Sequence, residues 1–134
     1  MKNRSTPCII LMADDDQEDC LLARIAFEDS AIEGEIHFVE NGEELLDYLR
    51  NGDLRPDLIM LDLNMPRMDG RKALLEIKSD QQLKDIPVVI LTTSRQERDV
   101  KFCLGAGASE FKTKPVEIGE WVDVIKSALS PCPA

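Results

Sequence analysis

The sequence predicts an α/β protein in which a doubly wound, parallel sheet of five strands carries helices on both faces. Short apolar runs alternate with longer amphipathic segments along all 134 residues. Three of these runs are apolar at every position, as expected for strands that are buried on both faces of a parallel sheet. The length suits one domain, which we place at residues 1–134 with a core at about 7–130.

Five strands and five helices follow one another in strict alternation. The predicted strands are CIILMA (8–13), EIHFV (35–39), LIML (58–61), VVIL (88–91) and SEFK (109–112). Apolar residues at helical spacing fill the gaps between and after them, and GAGA marks the end of the fourth helix. The predicted core-facing residues, helix by helix, are Leu21, Leu22, Ile25 and Ala26; Leu45, Leu46 and Leu49; Ala73, Leu74 and Ile77; Val100 and Leu104; Trp121, Val124, Ile125, Ala128 and Leu129.

Composition excludes several classes of function. Sixteen basic residues against 26 acidic ones give a formal charge of −10, which opposes binding to nucleic acid or to an anionic membrane surface. The apolar run after MKNRSTP is too short for a signal peptide or a transmembrane helix. Without a C-x-x-C spacing, the cysteines are expected to be reduced thiols. We therefore expect a cytoplasmic protein whose partners are proteins or cations. The cysteines are Cys8, Cys20, Cys103 and Cys132.

Carboxylates crowd the ends of two predicted strands. Asp14, Asp15 and Asp16 follow the first strand, and Asp62 follows the third. Two such charges about 4 Å apart repel by roughly 4 kcal/mol at an effective dielectric near 20. Asp16 is expected to be the N-cap of the first helix, which accounts for one acid only.

A hydroxyl and an ammonium complete this set. Thr92 ends the fourth strand and Lys114 follows the fifth, so a parallel sheet brings both to the edge that carries the acids. Asp15 and Asp62 are candidates to share one hard divalent cation, for which Mg²⁺ fits, and Asp14 to hold a metal-bound water. A cation there would screen Asp62 from an incoming phosphoryl group, so that its carboxylate can act as nucleophile. Lys114 and Thr92 would hold the other phosphoryl oxygens.

With these residues the sequence resembles a bacterial response-regulator receiver domain over nearly its whole length. The motifs are Asp14-Asp15, Asp62 within LDLNMPRMDG, Thr92 in VVILTTS, and Lys114-Pro115 in FKTKP. Thirty residues separate Asp62 from Thr92 and twenty-two separate Thr92 from Lys114, as the family pattern requires.

The resemblance implies a flavodoxin-like fold with strand order 2-1-3-4-5, and the role of a phosphoacceptor in a two-component phosphorelay. A histidine kinase would supply the phosphoryl group to Asp62 in a Mg²⁺-dependent reaction, with Mn²⁺ as a substitute. Such a domain is a regulator rather than an enzyme, although self-phosphorylation from small donors and self-dephosphorylation are expected, and no other cofactor is implied. Residue by residue, the resemblance gives Asp62 as the phosphoacceptor, assisted by Thr92 and Lys114; Asp14, Asp15, Asp62 and the backbone carbonyl of Asn64 as metal ligands; and Thr92 with Phe111 as the switch.

Partners also follow from the resemblance. LTTS and SDQQLKDIP favour the small single-domain regulators that pair with phytochrome-type kinases. We expect no output domain after residue 130 and therefore expect signalling through a downstream protein or a phosphotransfer protein. A homodimer through the fourth helix, fifth strand and fifth helix is a further hypothesis. Its basis is that Phe102 points about 200° away from Val100 and Leu104 on a helix and should be exposed.

Two other functions fit parts of the sequence. Asp14-x-Asp16 imitates the paired acids of aspartyl-phosphate phosphatases of the haloacid-dehalogenase type, in which Asp14 would be the nucleophile. A flavodoxin-like binding module would need a first loop that cradles phosphate with N–H and O–H donors. DDDQED offers negative charge instead.

Overall fold

The computed structural model describes residues 8–52 and 54–129. Strands and helices alternate throughout this part of the chain, as predicted. The strands are β1 Cys8–Ala13, β2 Gly34–Val39, β3 Leu58–Leu61, β4 Val88–Thr92 and β5 Glu110–Thr113. The helices are α1 Gln17–Asp29, α2 Gly42–Asn51, α3 Gly70–Ser79, α4 Glu97–Gly105 and α5 Ile118–Ala128.

The strands form one parallel sheet in the order β2-β1-β3-β4-β5, which confirms the predicted topology. Each residue of β3 and β4 is buried, because helices cover both faces of the sheet there. Leu61 of β3 pairs with Ala13 of β1 and with Ile90 of β4. The strand ends that follow these pairs therefore lie side by side.

Two hydrophobic clusters hold the helices to the sheet, one on each face. On one face, Leu45 of α2, Leu74 and Ile77 of α3 and Cys103 of α4 pack against apolar side chains of the strands. On the other face, α1 and α5 pack against the sheet, and Trp121 of α5 is completely buried. Burial of a side chain of this size contributes about 1.5–3 kcal/mol. The doubly wound architecture follows directly from these two clusters.

The predicted faces of α2, α3 and α5 are confirmed, but those of α1 and α4 are wrong in part. In α1 the buried residues are Ala23, Ala26 and Phe27, whereas Leu21 and Ile25 are exposed. In α4 the buried residues are Asp99 and Cys103. Leu104 is exposed there, as is Phe102, whose exposure was predicted.

Cys20 and Cys103 are free thiols, but Cys8 is disulfide-bonded, so the expectation of reduced cysteines is wrong at that position; Cys132 lies outside the described residues. The Lys114–Pro115 peptide bond is trans. No helix among the described residues is long and apolar enough to cross a membrane.

Candidate functional site

Backbone hydrogen bonds align the four strand ends that carry the predicted site residues. The Asp62 N–H donates to the Ala13 carbonyl at 3.0 Å, which places Asp62 beside the start of the acidic segment after β1. The Lys114 N–H donates to the Thr92 carbonyl at 2.8 Å, which joins the ends of β4 and β5. These four strand ends therefore lie side by side at the carboxyl edge of the sheet, where ligands of open α/β sheets bind.

Three carboxylates form a compact oxygen cluster at this edge. One oxygen from each of Asp14, Asp15 and Asp62 lies within 4.8 Å of the other two. Asp14 and Asp62 are buried, whereas Asp15 is exposed at the rim. Hard divalent cations prefer carboxylate oxygens and retain water on their open side. The donor set therefore fits a divalent cation, with Asp15 at the solvent side.

Lys114 contacts three carboxylates at once. Its Nζ atom lies 2.9 Å from Asp14 Oδ2, 3.3 Å from Asp62 Oδ2 and 2.7 Å from Asp19 Oδ2. Only 9% of its side chain is exposed. An ammonium has three N–H donors, so these contacts use its full capacity.

Burial and charge shift two pKa values at this site. Burial is the main cause that raises the pKa of Asp14 to about 6, although hydrogen bonds from the Asp16 N–H and from Lys114 act in the opposite direction. Burial alone would lower the pKa of Lys114, but hydrogen bonds to Asp19 and Asp14 and the nearby charges raise it above its ordinary value. A cation beside Asp14 would therefore favour its charged form, and Lys114 stays charged.

Asp16 lies outside the cluster because its side chain caps α1. Its Oδ1 atom accepts the N–H groups of Glu18 at 2.9 Å and Asp19 at 3.0 Å, which confirms the predicted N-cap. A phosphatase of the haloacid-dehalogenase type would need the Asp16 carboxylate beside Asp14 in the site. In the structure this carboxylate instead binds the N–H groups at the start of α1, so the phosphatase hypothesis is not favoured.

The loop after β3 places Asn64 beside Asp62. The Asn64 N–H lies 3.4 Å from Asp62 Oδ1, and the Gly70 N–H donates to the Leu63 carbonyl at 2.9 Å. Asp69 then caps α3 by accepting the Lys72 N–H at 3.2 Å. The loop is therefore closed on itself, and it holds the backbone of Asn64 next to the candidate nucleophile.

Thr92 is buried and connects the site to α4. The Ser94 N–H lies 3.4 Å from Thr92 Oγ1, and the Ser94 hydroxyl donates to Asp99 Oδ2 at 2.6 Å. The other Asp99 oxygen accepts from Arg71 of α3 at 2.9 Å. The Ser94 hydrogen bond is the largest cause that lowers the pKa of Asp99, with Arg71 contributing and burial opposing. Phe111 of β5 is half-buried and packs against the hydrophobic cluster that includes Leu74 and Cys103.

Sequence reasoning missed Asp19 and the Ser94–Asp99–Arg71 network. Asp19 lies three residues after the N-cap of α1, in the first turn of a helix that starts at the carboxyl edge of the sheet. An acid at that position is the sequence feature that could have indicated a place near the site. Its partner Lys114 is 95 residues away in sequence, and this separation hides the pair from local patterns. Asp99 carried no such signal, since an acid in the first turn of a helix is common on an exposed face.

Comparisons with known proteins agree with this geometry. A family model described as the response regulator receiver domain matches residues 10–126. Response regulator Rcp1 of Synechocystis is 40% identical over 99 residues, which cover 70% of this chain and 67% of that protein. The probable methanogenesis regulatory protein FilR2 of Methanothrix harundinacea is 35% identical over 114 residues, which cover 82% of this chain and 74% of that protein.

Solved structures give the same result. The phosphorylated cyanobacterial phytochrome response regulator RcpA matches with a TM-score of 0.86 and 35% identity, over 93% of each chain. The Mn²⁺-bound form of Rcp1 matches with a TM-score of 0.84 and 33% identity, over 92% of this chain and 93% of that one. The chain therefore belongs to the response regulator receiver family, as the receiver domain of a two-component response regulator.

Proposed function

We propose that Asp62 accepts a phosphoryl group from a sensor histidine kinase, and that Mg²⁺ is the ion held by Asp14, Asp15, Asp62 and the Asn64 carbonyl. The observation that carries the proposal is the position of Asp62 directly after the central strand β3, between the two halves of the site. It belongs to the oxygen cluster on the β1 side, and its Oδ2 atom lies 3.3 Å from Lys114 on the β5 side.

The two buried acids differ in how strongly their oxygens are held. Asp14 Oδ1 accepts the Asp16 N–H at 2.9 Å, and Asp14 Oδ2 lies 2.9 Å from Lys114. The contacts of Asp62 are longer, at 3.4 Å to the Asn64 N–H and 3.3 Å to Lys114. A nucleophile needs an oxygen lone pair that is free to attack, which favours Asp62 over Asp14.

In the proposed reaction, an Asp62 oxygen bonds to phosphorus while the bond from phosphorus to the histidine nitrogen of the donor breaks. The product is an acyl phosphate, and the imidazole leaves with the electron pair of the broken bond. A bound divalent cation would neutralise negative charge on the phosphoryl group during its transfer. Lys114 donates N–H groups to a phosphoryl oxygen, and the Thr92 hydroxyl is the second donor. Self-phosphorylation from a small phosphodonor needs the same residues and is part of the proposal.

We propose that Thr92 transmits phosphorylation of Asp62 to the rest of the fold. When its hydroxyl turns to the phosphoryl group, its contact with the Ser94 N–H is weakened and Phe111 moves into the space that is vacated. The phosphoryl group must interact differently with the two arrangements in order to shift their populations. The direct link from Thr92 through Ser94 to Asp99 supports α4 as the element that responds.

Histidine kinases are the class of partner that receiver domains use, and a phytochrome-type kinase is our proposal for this chain. The support is similarity to RcpA, a cyanobacterial phytochrome response regulator, and to the bacteriophytochrome response regulator AtBRR at 32% identity. A homodimer through α4, β5 and α5 is also proposed, because Phe102 and Leu104 of α4 are 38% and 47% exposed. Sedimentation that shows only monomer at high concentration, with and without phosphorylation, would exclude the dimer.

The phosphoacceptor is tested with acetyl phosphate and Mg²⁺, followed by borohydride trapping and peptide mass spectrometry. Label is expected on Asp62 alone and is expected to disappear in Asp62→Asn. Asp16→Asn is the matched control, because it removes one nearby carboxylate while asparagine still caps a helix. Label on Asp14 or Asp16, or undiminished label in Asp62→Asn, would refute the assignment.

A further inference from the structure

Asp19 is the nearest counter-ion of Lys114, although the receiver resemblance assigns it no role. Its Oδ2 atom lies 2.7 Å from Lys114 Nζ, closer than Asp14 at 2.9 Å or Asp62 at 3.3 Å. Its side chain is 20% exposed, and the Lys114 side chain is 9% exposed. An ion pair shielded from water to this degree is weakly screened, so it differs from an ordinary surface salt bridge.

Both partners of this pair are held by the backbone. Asp19 lies in the first turn of α1, where its N–H donates to the cap residue Asp16. Lys114 is held at the end of β5 by its N–H, which donates to the Thr92 carbonyl. The pair therefore joins the start of α1 to the end of the β4–β5 unit across the candidate site.

The acids around Lys114 divide into two kinds. Asp14 and Asp62 belong to the oxygen cluster that fits a divalent cation, and Asp19 does not. Asp14 also accepts the Asp16 N–H with its second oxygen. Lys114 and a divalent cation therefore compete for the same two carboxylates. Asp19 is the one carboxylate within reach of Lys114, among the described residues, that the cation does not need.

We propose that Asp19 is a positioning residue for phosphoryl transfer: it anchors Lys114 so that Asp14 and Asp62 can serve the cation and the phosphoryl group. Two N–H donors of Lys114 then remain for a phosphoryl oxygen, while the third stays on Asp19. Without Asp19, Lys114 relies on Asp14 and Asp62 and opposes the cation. This inference rests on the proposed function of Asp62.

The test is a double-mutant cycle with Mn²⁺ affinity measured by titration calorimetry. Asp19→Asn is expected to weaken Mn²⁺ binding by roughly threefold to tenfold in the wild-type background. In a Lys114→Ala background, Asp19→Asn should change the affinity no more than Asp16→Asn does. Asp16→Asn is the charge control, because it removes the same charge from the same turn, does not touch Lys114 and retains a cap. Far-ultraviolet circular dichroism melts establish that each variant is folded.

Phosphoryl uptake from acetyl phosphate at saturating Mg²⁺ is the second readout. Asp19→Asn should slow the initial rate severalfold, and Asp19→Glu, which keeps the carboxylate, should recover part of it. An equal effect of Asp19→Asn on Mn²⁺ affinity in both backgrounds, or tighter Mn²⁺ binding, would overturn the positioning role. A wild type that takes up no label would refute the proposed function. A labelled wild type with an unaltered Asp19→Asn variant would refute the role of Asp19 alone.

Discussion

The Lys114 N–H donates to the Thr92 carbonyl at 2.8 Å, so the ammonium and the hydroxyl of the candidate site are attached to one paired unit of β4 and β5. Asp62 comes directly after the neighbouring strand β3, and its N–H donates to the Ala13 carbonyl on β1. The site is therefore assembled from two backbone-linked halves. Because pairing of β3 with β4 restricts movement of one half relative to the other, we expect side-chain rotation to cost less free energy than backbone movement on phosphorylation.

Thr92→Ala should uncouple phosphorylation from the conformational response. The variant loses one donor to the phosphoryl group but keeps Asp62, the acid cluster and Lys114, so we expect acetyl phosphate still to label it, at a lower initial rate than the wild type. The change in amide hydrogen exchange over residues 92–111 should be largely lost. Thr92→Ser keeps the hydroxyl and should retain the response. Thr93→Ala is the matched control, because Thr93 is adjacent and exposed. A full response in Thr92→Ala would contradict the proposed switch.

A bound divalent cation should stabilise the fold by mass action. At a Mg²⁺ concentration about 100 times Kd, the free energy of unfolding should rise by about 2.7 kcal/mol. Asp15→Asn removes the exposed member of the oxygen cluster and should abolish most of this gain while leaving the metal-free stability nearly unchanged. Thermal melts with Mg²⁺ and with chelator measure both quantities. Identical melts of the wild type at saturating Mg²⁺ and in chelator would argue against the site.

Asp14 should make the metal-free protein less stable as the pH rises from about 4 to 6. Its pKa of about 6 exceeds the unfolded value of 3.8, so the folded state binds more protons in this window and loses stability as they dissociate. The shift corresponds to about 3 kcal/mol at most. Asp14→Asn should therefore raise the metal-free stability at pH 7.5 and flatten the pH dependence. Urea unfolding in chelator at pH 5 and pH 7.5 measures this. An Asp14→Asn variant that is less stable than the wild type at pH 7.5 would show that the buried charge of Asp14 does not destabilise the fold.

The strands and the edge of the sheet could be predicted because each carries a local signal. CIILMA and LIML match β1 and β3 residue for residue, since a strand buried on both faces must be apolar throughout. Asp14 and Asp62 come directly after these strands in the sequence, so their positions at the strand ends could be predicted as well. Parallel pairing then brings Asp14 and Asp62 together without further information.

The faces of α1 and α4 could not be predicted in the same way. In α1 the small residues Ala23 and Ala26 are fully buried because this helix packs closely beside α5, whereas the larger Leu21 lies on the open side. In α4 the buried Asp99 depends on Arg71, 28 residues earlier in the chain. Hydrophobic periodicity assigns leucine to the buried face of a helix in preference to alanine or aspartate. It therefore predicts the wrong face where close helix packing or a long-range ion pair determines which residues are buried.

The buried Asp99 should depend strongly on Arg71. Arg71→Met leaves the Asp99 carboxylate with Ser94 as its remaining side-chain hydrogen-bond partner among the described residues, and should destabilise the fold by about 2–3 kcal/mol. The Arg71→Met/Asp99→Asn double variant should recover part of this loss, because the unpaired charge is gone. Lys72→Met is the control at the adjacent exposed position and should be nearly neutral. Urea unfolding measures all three. An Arg71→Met variant as stable as Lys72→Met would mean that the ion pair contributes nothing.

Gly70→Ala should disturb the site from the other side of the β3–α3 loop. A Cβ atom at Gly70 would overlap the carbonyl oxygen of Asp62 and crowd the Cα atom of Leu63 at 2.8 Å, so the backbone that carries Asp62 and Asn64 must shift. We expect a loss of about 1–3 kcal/mol in the free energy of unfolding, together with weaker Mg²⁺ binding.

Gly119→Ala provides the opposite case. Nothing lies within 4 Å of a Cβ atom built at this glycine of α5, so alanine should stabilise the helix by about 0.5–1 kcal/mol. Its Mg²⁺ affinity should match the wild type, because α5 supplies no member of the oxygen cluster. Urea unfolding and calorimetric titration of both variants measure stability and affinity separately. If Gly70→Ala kept wild-type Mg²⁺ affinity despite its lower stability, the loop would not be positioning the ligands, and the proposed role of the Asn64 carbonyl would be wrong.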